Sequence, residues 1–131
     1  MNQQGEAATD LEALQQRYAD AWRARDPDAI IALHTEDTQF RTHAGGEAIE
    51  GKAAMRTAAV ETFERFPQFS SEPHQLLFGP EHWVLEWTLV SGEVRFDCID
   101  LVVVADGLVK TKDTYFDFVQ VQATMPAPPS D

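Results

Sequence analysis

Up to Phe66 the apolar residues mostly recur at spacings of three and four, and after Pro67 they alternate, so the chain reads as helices followed by strands. Leu11, Leu14, Tyr18, Ala21 and Trp22 fall on one face of a helix that Thr9 or Asp10 can cap. Tyr18 then points into the core. Asp26-Pro27 ends this helix and begins a second through Ile30, Ile31 and Leu33, with the aspartate as N-cap and the proline in its first position. A short strand follows over Glu36–Thr42, then a loop at Ala44-Gly45-Gly46. A third helix after Gly51 carries Met55, Ala59, Phe63 and Phe66 on one face and stops at Pro67. Four alternating segments come next: His74–Phe78, His82–Val90, Glu93–Ala105 and Leu108–Val121. Gly79-Pro80, Ser91-Gly92 and Asp106-Gly107 join them as turns. Helices first and a meander afterwards predict an α+β domain, three N-terminal helices against a strongly curved, mainly antiparallel sheet.

Composition narrows the function classes. The 131 residues include 22 Asp plus Glu against 10 Lys plus Arg, a formal net charge of −12, with no cluster of basic residues. Phosphate neutralisation needs such a cluster, so nucleic acid and anionic membrane surfaces are not expected partners. The longest apolar run, Leu101–Ala105, has five residues against the roughly 18 of a membrane span. Met1–Glu6 has neither a basic nor an apolar region, and the single Cys98 can form no internal disulfide, so a cytoplasmic location is expected. Residues 1–8 read as a flexible N-terminus, 9–122 as one domain and 123–131 as a proline-rich tail. At 44% hydrophobic residues, a chain of this size can hold a core and one modest cavity.

Five strings, in order, carry a family resemblance: Leu11–Trp22 followed by Ala24–Ala29, Leu33–Phe40, Ile49–Met55, Ile99–Gly107 and Asp113–Asp117. Over about residues 10 to 121 the chain resembles the nuclear transport factor 2-like (NTF2-like) superfamily, and within it the SnoaL-like and ketosteroid-isomerase-like proteins. The resemblance implies a cone whose curved sheet and helices enclose a hydrophobic pocket, and a homodimer formed through the sheet. Because the family mixes isomerases, dehydratases, epoxide hydrolases, polyketide cyclases and non-catalytic proteins, function has to be argued from the site.

Asp100 is the most informative residue. Strand alternation puts it on the face of Val94, Phe96, Cys98, Val102 and Val104. Burial disfavours a charged carboxyl, and a neutral one can donate a hydrogen bond to a developing oxyanion. By resemblance, Asp100 and Tyr18 fall at the aspartate and tyrosine of the ketosteroid-isomerase oxyanion hole. The position of that family's general-base carboxylate is Thr42, which cannot serve as a base. The neighbouring His43 is the candidate base, with Glu36 and Glu47 as further possibilities. Trp22, Phe40, Thr42, Phe63, Phe66, Cys98 and Val102 are the expected pocket lining. Each polar assignment has a structural alternative: Asp100 as a buried acid bonded to backbone or water, Tyr18 as a core residue, His43 as a surface residue.

Other chemistries find less support. The epoxide-hydrolase set of two aspartates and an arginine meets Glu86 or Trp87, Thr88 and Thr114, and a dehydratase would need a second histidine beside Tyr18 and His43. His34, His74 and His82 lack metal-ligand spacing and Cys98 is alone, so no metal or cofactor is expected. Arg95 and Asp97 read as an ion pair on the opposite strand face. Trp83, Leu85, Trp87 and Leu89 alternate on one strand face and are assigned in part to a dimer surface. The sequence therefore points to a pocket protein that binds, or isomerises, cyclises or dehydrates, a neutral apolar carbonyl or polyketide-like compound. A non-catalytic ligand-binding or protein-interaction module of the same fold is the alternative.

Overall fold

The structure, a computed structural model, describes residues 3–43 and 47–125, with side chains from Asp10 onward. Four helices pack with one six-stranded sheet: α1 (Gln3–Arg23), α2 (Pro27–Ile31), β1 (His34–Thr42), β2 (Ile49–Glu50), α3 (Lys52–Arg65), β3 (Ser70–Phe78), β4 (His82–Ser91), β5 (Val94–Ala105), β6 (Leu108–Phe116) and α4 (Phe118–Thr124). The strand order is β2-β1-β6-β5-β4-β3. All neighbours are antiparallel except β1 and β6, which run parallel, so the sheet is mixed. Irregular register in β1, in β3 after Pro73 and in β5 before Val104 marks bulges, which bend strands and give the sheet its cone-like curvature.

The α+β class stands, with departures at its edges. Helix α1 begins at Gln3, so most of the stretch expected to be flexible is helical; Glu6, Ala7 and Ala8 are strong helix formers that override a cap at Thr9. Residues 1–2, the loop at 44–46 and residues 126–131 of the expected tail lie outside the described residues. The last strand stops at Phe116, because Asp117 caps a fourth helix by accepting a hydrogen bond from the Gln120 amide at 3.1 Å. Asp106 and Gly107, at φ 55° and 75°, form the tight β5–β6 turn that the dipeptide predicts.

Two apolar clusters form on the concave face. Leu11, Leu14, Tyr18 and Ala21 of α1 pack with Ile30, Ala59, Trp83, Val102 and Val109. Phe66 and Phe69 pack with Trp87, Leu89, Phe96 and Cys98. Trp22, Phe63 and Leu85 touch both clusters. Trp83, Trp87 and Leu89 are thus buried under the helices rather than offered to a partner, because the unbroken β4–β5 register sets them opposite Val102, Cys98 and Phe96. Among the described residues no helix is long and apolar enough to cross a membrane.

Candidate functional site

Strand register builds the site. Asp100 on β5 pairs with Leu85 on one side and Thr114 on the other, and Thr114 pairs with Thr42 of β1. One row away, Val102 pairs with Lys112 and Lys112 with Phe40. Side chains of paired residues share a face, so Asp100, Thr114, Thr42 and Lys112 form a polar strip on the concave side. The strip opens on a cavity of about 580 Å³ that is also lined by Tyr18 and Trp22 of α1. Most of the remaining wall is apolar, from Phe66, Phe69, Leu89, Phe96 and Cys98 to Phe118 and Val121 of α4.

Asp100 is buried and accepts a hydrogen bond from the Thr114 hydroxyl at 2.8 Å. Its other oxygen faces the Lys112 ammonium at 3.9 Å, an ion pair too long to be a hydrogen bond. Lys112 is itself only 6% exposed, and its Nζ lies 4.5 Å from the Trp22 ring centroid and 5.0 Å from that of Phe40. Those aromatic faces hold the cation in place of water. Asp100 therefore stands on the cavity wall as expected, and beside it the structure sets Lys112, a buried hydrogen-bond donor.

Tyr18 lines the cavity, but its proton is committed elsewhere. The Thr38 hydroxyl donates to the Lys110 carbonyl at 3.1 Å, so it accepts from His34 Nδ1–H at 2.8 Å. This fixes the tautomer of His34 and leaves Nε2 to accept from the Tyr18 hydroxyl at 2.9 Å. His34 is fully buried, and burial, then the charges of Lys112 and Lys52, push its pKa down to about 3. A neutral imidazole is what the network needs. Burial likewise drives the Tyr18 phenol far above its ordinary range. Tyr18 thus lines the cavity with its hydroxyl tied into a buried chain to His34 and Thr38.

An indole donor also lies at the cavity wall. The indole Nε1 of Trp87 is buried without a hydrogen-bond partner, whereas that of Trp22 lies beside the Tyr18 hydroxyl, and both residues line the cavity. A buried unpaired donor costs about 1 to 3 kcal/mol, a cost that a bound acceptor would remove. Cys98 takes no such part: burial above all, then the charge of Asp100, push its thiol up to about 12, so it packs as a neutral wall residue.

Of the expected lining, Trp22, Phe40, Thr42, Phe66 and Cys98 face the cavity. Phe63 and Val102 do not: Phe63 is held behind the wall by Trp22 at 5.5 Å and Phe69 at 5.6 Å between centroids, and Val102 is fully buried against α1. His43 is not at the site either. Because Thr42 points in, the next residue points out; its Nε2 lies 2.7 Å from Asp113 and its ring stacks on Tyr115 at 3.9 Å. Glu36 is exposed near Lys52 and Glu47 is exposed as well, so neither acid reaches the cavity. On the outer face, Arg95 pairs with Glu72 rather than with Asp97, whose carboxylate accepts from Thr88 and Gln120.

Sequence reasoning missed Lys112 and His34. Lys112 sits in Lys110-Thr111-Lys112-Asp113-Thr114, a run whose polarity on both faces hides an inward position. His34 lies two residues before the expected strand start, although a strand through both would have set His34 and Thr38 on one face.

Helices on a curved sheet that encloses an amphipathic cavity define the NTF2-like class. The SnoaL-like domain family matches residues 15–111, and the chain belongs to that family. Its backbone is similar to that of a ketosteroid-isomerase candidate from Kribbella flavida DSM 17836, with TM-score 0.74 and 22% identity over 94% of this chain and 84% of that one. It is also similar to a SnoaL-like polyketide cyclase candidate from Jannaschia sp. CCS1, with TM-score 0.78 and 19% identity over 92% and 94% of the two chains. An LEH-like epoxide hydrolase of M. tuberculosis superposes with TM-score 0.74 at 21% identity over 88% and 89%. At these identities the likeness is one of fold. Among curated proteins none matches the sequence.

Proposed function

We propose that this SnoaL-like protein is an enzyme that enolises a neutral, largely apolar carbonyl compound, as the first step of an isomerisation or cyclisation. The observation that carries this reading is the buried Lys112–Asp100 pair, at 3.9 Å, on the wall of an otherwise mainly apolar cavity. The ligand's carbonyl oxygen accepts from Lys112, and the Asp100 oxygen that faces Lys112 removes a proton from the adjacent carbon. The C–H electron pair moves toward the carbonyl oxygen, where the ammonium stabilises the charge that develops. Asp100 thereby supplies the base that Thr42 cannot. A net charge of −12 on the chain favours a neutral over an anionic ligand.

Exchange of the α-protons of benzylacetone in heavy water, followed by proton NMR, tests this. Wild-type protein is expected to accelerate exchange, and Asp100→Asn to lower the acceleration by about 10² to 10⁴, the usual contribution of a positioned base. Binding without exchange would make the protein a non-catalytic ligand carrier.

The partner on the outer face of the sheet is taken to be a second copy of the chain. Ile99 and Tyr115, cross-strand neighbours that are 44% and 45% exposed, support this. Sedimentation equilibrium is expected to give a dimer that Tyr115→Glu dissociates; a wild-type monomer would overturn it.

A further inference from the structure

We propose that Lys112 is also a nucleophile, forming a Schiff base with an aldehyde held in the cavity. This rests on the carbonyl-binding reading and extends it from a hydrogen bond to a covalent bond. The chain has three lysines, Lys52, Lys110 and Lys112. Lys110 is exposed, and the Lys52 side chain is 28% exposed near Glu36. Lys112 is the buried one, its nitrogen set against a cavity with room for a small molecule.

An amine attacks a carbonyl only after losing a proton, and the acceptor is the facing Asp100 Oδ2, which lies at 3.9 Å and takes the proton when the flexible lysine stem brings the two into hydrogen-bond contact. Burying two opposite charges is costly, and the cost rises when an apolar ligand fills the cavity beside them. Passing one proton from Lys112 to Asp100 turns the ion pair into a neutral amine and a neutral acid. The amine lone pair then bonds to the carbonyl carbon, and the C=O π pair moves to oxygen, which takes a proton from nitrogen. Asp100 returns its proton to the resulting hydroxyl, which leaves as water while the nitrogen lone pair forms the C=N bond. The sum is ammonium plus carbonyl giving iminium plus water, with Asp100 again a carboxylate. The positive charge returns to where the Trp22 and Phe40 faces already hold one. While it keeps its N–H proton, the iminium draws electrons from the adjacent carbon more strongly than a hydrogen-bonded carbonyl, so Asp100 meets a more acidic C–H.

The test is reductive trapping of the full chain with hydrocinnamaldehyde and cyanoborohydride, read by intact mass and peptide mapping. One adduct per chain is expected, on Lys112, formed at least about tenfold faster than on Lys52 or Lys110, because the cavity holds the aldehyde against that nitrogen. Lys112→Arg, with melting temperature checked against wild type, is expected to remove the fast adduct, and Asp100→Asn to slow it. Labelling spread over Lys52, Lys110 and the amino terminus according to exposure would overturn the proposal. Benzylacetone exchange that persists without an adduct overturns the Schiff base alone; absence of both overturns the carbonyl reading as well.

Discussion

Replacing Lys112 with methionine is expected to abolish activity on carbonyl compounds and to destabilise the fold by about 3 kcal/mol, because it strands Asp100 as an uncompensated buried charge. The pair lies in the sheet interior, with side chains only 7% and 10% exposed, so solvent can do little to replace the lost partner. Replacing both residues, Lys112→Met with Asp100→Leu, is expected to recover stability to within about 1 kcal/mol of wild type, since apolar substitutes for a buried ion pair are often neutral. Activity would not return. Urea unfolding of the two single variants and the double variant checks this: the coupling should be large and favourable. Additive losses in the double variant would mean that the two charges do not depend on each other.

Acid should destabilise this protein through His34. In the unfolded chain the imidazole takes a proton near 6.5, but in the fold burial delays this to about 3. Between those values the unfolded state binds the proton and the native state does not, so stability is full above 6.5 and drains as pH falls. The slope is about 1.4 kcal/mol per pH unit, or about 2 kcal/mol between neutrality and about pH 5. Carboxylates lose stability over part of the same range, so the informative quantity is a difference in slopes. His34→Gln is expected to be less stable than wild type at neutral pH, having disturbed the Tyr18–His34–Thr38 chain, yet to lose about 2 kcal/mol less on acidification to about pH 5. Equal slopes for the two proteins would show that His34 is as readily protonated in the fold as outside it.

The two residues that lead these predictions were the least visible before folding, for identifiable reasons. Facing could be read wherever alternation ran unbroken: from Phe96 to Val102 the β4–β5 register has no shift, and Asp100 does face inward. Thr42 also lies where a base would be expected, and the structure keeps it in the cavity. Lys112 escaped because a strand patterned with charge on both faces looks solvent-exposed, and its inward position is set by register with Val102 and Phe40, which lie far away in sequence. His34 escaped with the strand start. Trp83 and Trp87 were misassigned in part because counting three helices left sheet area apparently uncovered; the fourth helix, α4, also borders the cavity. The parallel pairing of β1 with β6 and the two-residue β2 rest on long-range contacts that no local pattern encodes.

Enolisation in this cavity depends on one contact, that between a ligand's carbonyl oxygen and the Lys112 ammonium. The infrared stretch of benzylacetone, isotope-labelled at its carbonyl and bound to the protein, reports that contact directly, since a charged donor lowers the frequency below that in an apolar solvent. The frequency is predicted to fall at or below its value in water on wild-type protein, and to rise toward the apolar-solvent value on Lys112→Met. The same frequency on both proteins would contradict the account.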